Sequence, residues 1–130
     1  GMAAPMIPGL NDHEVERILD AAHAMGAREA GYILLRLPLE VSPIFKDWLL
    51  RNYPDRYRHV LSLIRSMRNG KDYDAEFGKR MRGEGPYAWQ MGRRFEIAAG
   101  KLGLNTRKRS LRTDLFKAPA AGGAVQLSLF

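Results

Sequence analysis

The chain has 130 residues, of which 45% are hydrophobic, and a net charge of +7. This length suits one domain with a modest core, and the composition is too apolar for general disorder. The sequence contains no cysteine, which excludes a disulfide framework, a thiolate nucleophile and a thiolate-bound metal. It also lacks an apolar run of roughly 20 residues, the length that spans a bilayer, and it lacks a signal-peptide pattern. We therefore predict a cytoplasmic protein without membrane contact.

The charge is unevenly distributed along the chain. Residues 1–37 contain three basic and five acidic side chains, a net charge of −2, so the remainder carries +9. A basic surplus of this size attracts polyanions, of which nucleic acid is the first candidate. The alternative is that these lysines and arginines solvate the surfaces of helices.

The first 38 residues are predicted to form a β-α-β unit. An apolar run at residues 3–7 ends in the turn Pro8-Gly9, and Asn11 is placed to cap a helix. Residues 31–37 form a second apolar run, ended by Pro38. Two strands do not make an independent sheet, so something must cover their edges. We therefore expect a fragment of a larger fold, and self-association into a homo-oligomer.

Residues 39–105 are predicted to be a helical extension. Proline, serine, asparagine and glycine mark where its helices begin and end: Ser42-Pro43, Pro54, Asn69-Gly70, Pro86 and Gly103. The predicted fold class is therefore α/β and mostly helical.

Two further segments have no helical pattern. Residues 70–85 mix glycine with both charges, which is typical of a functional or mobile loop. The acidic residues of this loop, Asp72, Asp74 and Glu76, are interpreted as a solvated stretch and not as a metal site. Residues 106–130 are predicted to comprise a basic segment, a flexible Ala/Gly linker and a short C-terminal tail.

A resemblance to a known family rests on the run Ala4-Pro5-Met6-Ile7-Pro8-Gly9-Leu10-Asn11-Asp12, followed by a helix, Gly26-Ala27 and a second strand. These elements resemble strand five, helix five and strand six of the partial (β/α)6, TIM-type barrel of radical S-adenosylmethionine (SAM) enzymes. Downstream, LLRLPLEV, IRSMRNGKDYD, FGKRMRGEGPYA and LRTDLF are similar to the C-terminal region of the DNA repair photolyase-like group, relatives of spore photoproduct lyase. The similarity runs the whole length. It implies that the N-terminal part of the barrel is missing here, and that the complete protein performs SAM-dependent radical chemistry, with a lyase acting on DNA photoproducts as the candidate.

The resemblance also implies a [4Fe–4S] cluster and SAM in the complete protein. The family's Cys-x3-Cys-x2-Cys loop is absent from this sequence, and no other side chain supplies the soft ligation that a cluster needs. We therefore expect the chain to be inactive alone and predict no catalytic residue and no metal ligand in it. By the same resemblance, the tip after the first strand would flank SAM, which points to Ile7, Pro8, Gly9 and Asn11. The alternative is that Pro8-Gly9 only makes the turn and Asn11 only caps the helix.

Cationic and aromatic side chains in the second half are candidate nucleic-acid contacts. Cations bind phosphates, and exposed rings stack on unpaired bases. Phe77 and Tyr87 are the rings near the loop, and the alternative is that they attach the loop to the core while the charges are merely solvated. The predicted phosphate contacts are Lys79, Arg80, Arg82, Arg93, Arg94, Arg107, Lys108 and Arg109.

The last five residues, QLSLF, resemble the motif by which bacterial DNA polymerases and repair proteins bind the sliding clamp. Leu127, Leu129 and Phe130 are suited to apolar pockets, and Gln126 to a hydrogen bond at the rim of a groove. The alternative is that this segment packs as a strand on its own chain. A non-catalytic module that binds nucleic acid or the sliding clamp is therefore the rival to the radical SAM fragment.

Overall fold

The structure is a computed structural model that describes residues 1–107 and 112–118. Its elements are β1 (Met2–Met6), α1 (Val15–Ala24), β2 (Gly31–Leu34), α2 (Val41–Asn52), α3 (Tyr57–Ser66) and α4 (Gly85–Lys101), with single 3-10 turns at Asp12–Glu14 and Pro54–Arg56. The predicted α/β class is confirmed, with four α-helices and two strands in the described residues. Within the described ranges, no helix has both the length and the apolar character that crossing a membrane requires.

The two strands are parallel neighbours, as the β-α-β pattern predicts. Met2 lies opposite Gly31, and the register shifts before Met6 pairs with Leu34. Both strands end earlier than predicted. β1 ends at Met6 because the next backbone N–H, that of Ile7, donates instead to the side-chain Oδ1 of Asn11 at 2.6 Å. β2 ends at Leu34, and Leu37 of the predicted strand belongs to a different core cluster from the sheet.

Two apolar clusters form the core. The first joins one face of the sheet to α1 and α4, and the second lies between α2, α3 and the segment after β2. Burying each large apolar side chain contributes about 1.5–3 kcal/mol. The last helix therefore completes the core that the β-α-β unit begins. The first cluster includes Ala3, Met6, Val15, Leu19, Tyr32, Leu34, Met91 and Phe95, and the second consists of Leu37, Leu49, Val60, Leu61 and Ile64.

Two of the predicted helix caps are wrong. Asn11 stands before the first 3-10 turn but makes no capping bond. Its side-chain amide points back to β1, where Nδ2 donates to the carbonyl oxygen of Pro5 at 3.1 Å. Ser42 lies inside α2, which begins at Val41 without a side-chain cap. For Asn11 the physical reason is competition, because the unpaired backbone groups at the end of β1 take the amide that the helix would have used.

The outer edge of β2 is closed by the chain itself. Alternate residues of a strand point their backbone groups away from the partner strand. Immediately before β2, Ala30 donates to Oδ1 of Asn105 at 2.9 Å and accepts from Nδ2 of the same side chain at 2.9 Å. The N–H of Leu34 donates to the carbonyl oxygen of Met81 at 2.9 Å. An amide side chain and a loop carbonyl thus take the place of a third strand at this edge.

The other side of the sheet is less covered. In the part of the chain that the structure describes, β1 pairs with β2 only. The sheet face opposite α1 and α4 includes Met2, whose side chain is 63% exposed, together with the exposed Ala4 and the half-buried Ile33. This face is apolar, and none of the described elements packs over it to bury it.

Candidate nucleic-acid interface

A buried arginine attaches the 70–84 loop to the sheet. Arg68 is only 1% exposed and continues the buried stripe of α3, four residues after Ile64. Its Nη1 donates to the carbonyl oxygen of Lys79 at 2.6 Å, and its Nη2 donates to the carbonyl oxygen of Leu35 at 3.3 Å. Burial lowers the pKa of Arg68. Its guanidinium thus joins the middle of the loop to the end of β2.

The start of the loop is held by charged and aromatic contacts. Asp72 pairs with Lys46 of α2 and with Arg65 of α3, the latter at 2.8 Å, and these hydrogen bonds lower the pKa of Asp72. The side chain of Tyr73 accepts a hydrogen bond from Nη2 of Arg36 at 3.2 Å. The loop is therefore placed by contacts to both helices and to the segment after β2, although it has no regular structure of its own.

Three of the predicted phosphate contacts are already paired with carboxylates. Lys79 lies 2.8 Å from Glu76 and 3.0 Å from Glu84, and these hydrogen bonds raise the pKa of Lys79. A phosphate at any of these three side chains has to compete with a carboxylate that is already in place. The two pairs of α4 are Arg93 with Glu96 at 2.8 Å and Arg94 with Glu16 at 2.7 and 2.8 Å.

Arg80 and Arg82 differ from these three. Within residues 1–107 and 112–118, neither forms an ion pair. The guanidinium carbon of Arg80 lies 5.2 Å from the centre of the Phe77 ring, and that ring is 85% exposed. The guanidinium carbon of Arg82 lies 5.5 Å from the ring centre of Tyr32. Both charges are therefore placed against rings and are available to an anion.

Arg107 lies farther along the same side of the sheet. It is exposed and follows Asn105, whose side chain closes the β2 edge at Ala30. The structure thus places Arg82 and Arg107 beside two points of one strand edge. The remaining predicted contacts, Lys108 and Arg109, lie outside the described residues, as does the clamp-like segment 126–130.

The other predicted site, the tip after β1, is turned inward. Pro8 is fully buried. Gly9 has a φ of +70°, and a Cβ at this position would lie 3.2 Å from side-chain atoms of both His59 and Leu63. Asn11 uses both ends of its amide on β1 and Ile7, and the carbonyl oxygen of Ile7 accepts from the N–H groups of residues 10 and 11. The four residues predicted to flank SAM therefore mainly contact other residues of their own chain. Their proximity to SAM stays a prediction.

A hydrogen-bonded pair, of the half-buried Tyr87 and the buried Asp12, closes this tip from the side of α4. Tyr87 donates a hydrogen bond to the buried carboxylate of Asp12 and accepts one from the N–H of Gly9 at 3.3 Å. Burial, followed by the neighbouring carboxylate, raises the pKa of Tyr87 to about 12. The alternative, that Phe77 and Tyr87 attach their segments to the core, therefore applies to Tyr87 only. Tyr87 attaches α4 to the core, whereas Phe77 is exposed.

Sequence reasoning missed two residues of this region. Trp89, on the second turn of α4, is 69% exposed. Its position outside the apolar stripe of Met91 and Phe95 was the available signal. Arg68 was missed because a charged residue was not expected in a core, although its spacing of four from Ile64 placed it on the buried stripe.

Comparisons of the chain with protein-family models, with curated proteins and with solved structures find no match. The resemblance to radical SAM proteins accordingly stays a prediction. A [4Fe–4S] cluster does not fit the residues of this chain, because the sequence has no cysteine to ligate it.

Proposed function

We propose that the chain is the C-terminal part of a radical SAM protein, where it supplies the last β-α-β unit of a partial barrel and a helical extension. The observation that carries this proposal is the asymmetry of the sheet. The outer edge of β2 is closed by Asn105 and Met81, whereas no element in residues 1–107 and 112–118 covers one sheet face or the beginning of β1.

That asymmetry is what the end of an open barrel requires. Helices cover the outer faces of barrel strands, the opposite strands cover the inner faces, and only the terminal strand needs a substitute partner. β2 has the properties of such a terminal strand. A preceding strand has room to pair with β1 only at residues 2–4, because Pro5 lacks an N–H and Asn11 occupies the edge beyond it.

The test is the coding sequence upstream of Met2 and the polypeptide that it specifies. We expect the reading frame to continue into a segment with the Cys-x3-Cys-x2-Cys loop. The longer protein should take up a [4Fe–4S] cluster on anaerobic reconstitution and cleave SAM when reduced, and this chain should do neither. The chain should also self-associate through its uncovered sheet face, as light scattering would show. An upstream frame without that loop, together with a monomeric chain, would refute the proposal.

A second function, contact with nucleic acid, is favoured by Arg80 and Arg82, whose charges no described carboxylate neutralises. We propose that they bind backbone phosphates without reading sequence. Reversing both to Glu should weaken oligonucleotide binding and lower the salt-dependence slope by about 1.4 to 1.8. The matched control is Arg17→Glu with Arg58→Glu, two exposed arginines elsewhere that give the same change of net charge. Equal losses in the two variants would mean that only net charge matters.

The tail supports a third proposal, binding to the bacterial sliding clamp through Gln126, Leu127, Leu129 and Phe130. A peptide of this size buries little area, so the affinity should be roughly micromolar. Titration of the clamp with the peptide 125–130 should saturate, and Leu127→Ala or Phe130→Ala should abolish the binding. Ser128→Ala is the control, because alternate side chains of an extended peptide point away from the pockets. Lack of binding, with lower stability of the chain on deleting 126–130, would favour packing on its own fold.

A further inference from the structure

Two exposed aromatic residues occur in the region of the two arginines that form no ion pair within the described residues. The ring of Phe77 is 85% exposed and is in contact range of the Arg80 guanidinium only on one side. The indole of Trp89 is 69% exposed. Isolated apolar side chains on a surface are common. Exposed rings close to cations that have no carboxylate partner are a more specific arrangement than isolated apolar side chains.

Contacts around Tyr32 place Trp89 near Arg82. Arg82 stands over the Tyr32 ring, and the hydroxyl of Tyr32 reaches α4, where a Cβ at Gly92 would lie 3.2 Å from it. Trp89 precedes Gly92 by three residues, so both belong to neighbouring turns on adjoining sides of α4. Arg93, four residues after Trp89, is on the same exposed side of the helix. Tyr32 thus links Arg82 to the part of α4 next to Trp89, and we take the region from Phe77 through Arg82 to Trp89 as one candidate surface.

We infer that this surface binds single-stranded nucleic acid, with unpaired bases stacked on Phe77 and Trp89 and phosphates on Arg80 and Arg82. The inference deepens the proposed nucleic-acid contact and rests on it. The charge of the surface suits any polyanion, but the two exposed rings distinguish a single strand from a duplex. A duplex hides the faces of its bases, so it uses the cations and leaves both rings in water, whereas a single strand uses both.

The test compares a fluorescent oligothymidine of about 12 nucleotides, within the range that single-strand sites cover, with a duplex of equal length at low salt. The single strand should bind more tightly. Phe77→Ala and Trp89→Ala should each weaken it by about tenfold, without changing the salt slope or the affinity for the duplex. Ile44→Ala is the matched control, since Ile44 is a 67% exposed apolar residue on a different helix, α2.

A direct readout comes from the indole itself. The chain has two tryptophans, so Trp48→Phe leaves Trp89 as the only one. Its fluorescence should be quenched when oligothymidine binds, which a purely electrostatic contact would not produce. Binding that prefers duplex, or that ignores both ring variants, would overturn the inference while the phosphate contact stands. Failure to bind either nucleic acid at low salt would refute the phosphate contact as well.

Discussion

The tip after β1 and the 70–84 loop are both glycine-containing segments, and their residues predict a ligand site in both. The two segments are fixed to the rest of the fold by different contacts. At the tip, the α-carbon of Gly9 faces His59, and the amide of Asn11 bonds to its own strand. In the loop, Arg68 bonds from beneath to the backbone at Lys79. The cations that follow, Arg80 and Arg82, lie against the rings of Phe77 and Tyr32.

The difference lies in where the polar groups of each segment find partners. Buried backbone and side-chain groups must be hydrogen-bonded, and the tip meets this requirement with its own residues and Tyr87. The loop meets it with the Arg68 guanidinium and with its own backbone bonds, and several of its charged side chains are paired, but Arg80 and Arg82 form no ion pair within residues 1–107 and 112–118. The two segments therefore differ in their polar side chains: the amide of Asn11 is used within the fold, whereas the guanidinium groups of Arg80 and Arg82 contact rings and form no ion pair in the described residues.

The largest expected effect is that of removing the Arg68 guanidinium. Arg68→Ala takes the guanidinium donor from the carbonyl group of Leu35, removes one of the two donors of the Lys79 carbonyl and opens a cavity, and we expect the free energy of unfolding to fall by about 3 kcal/mol. Nucleic-acid binding should weaken too, because Arg80 and Arg82 lose their fixed support. Chemical denaturation and fluorescence anisotropy measure the two effects.

Arg65→Ala is the control for that substitution. Arg65 is half exposed and paired with Asp72, so its loss should cost less than about 1 kcal/mol. If both variants lose the same stability, or if Arg68→Ala binds nucleic acid normally while folded, Arg68 does not support the loop as argued.

At the tip, we expect Tyr87→Phe to lower the free energy of unfolding by about 2 kcal/mol, because the buried carboxylate of Asp12 loses its donor. Nucleic-acid binding should not change, since the tip does not contribute to the loop surface. Tyr53→Phe, at a 40% exposed tyrosine, should be neutral for stability. Weakened binding in folded Tyr87→Phe would mean that tip and loop are coupled.

The same tyrosine predicts a pH dependence. Its pKa is raised to about 12 in the folded chain from 10.0, so its contribution to stability is complete below pH 10 and is lost as the pH rises toward about 12. The wild-type chain should lose stability over this interval faster than Tyr87→Phe does. Parallel curves for the two proteins, from thermal unfolding at each pH, would contradict the burial of this hydroxyl.

Elements of this fold were predictable where the signal is local. Pro54 and Pro86 lie at helix starts and Gly103 follows α4, as expected, because these residues act through their own backbone. The pairing of charges was not predictable where it joins distant residues: Arg94 finds Glu16 across 78 positions of sequence. Which cations stay unpaired, and hence which form the candidate site, is therefore a property of the tertiary fold.

The smallest expected effect is a difference in the free energy of unfolding between two glycine-to-alanine variants. This difference distinguishes backbone strain from side-chain packing. Gly9 and Gly70 have φ values of +70° and +79°, so alanine is strained at either position by about 1 kcal/mol. Only at Gly9 does the new methyl group meet neighbours, His59 and Leu63, whereas nothing lies within 4 Å of it at Gly70. Gly9→Ala should therefore destabilise the chain by about 1 kcal/mol more than Gly70→Ala. Denaturation curves of the two variants give this difference directly. If both variants lose the same free energy of unfolding, α3 does not pack on the tip. The tip would then have room for a ligand and would no longer contrast with the loop.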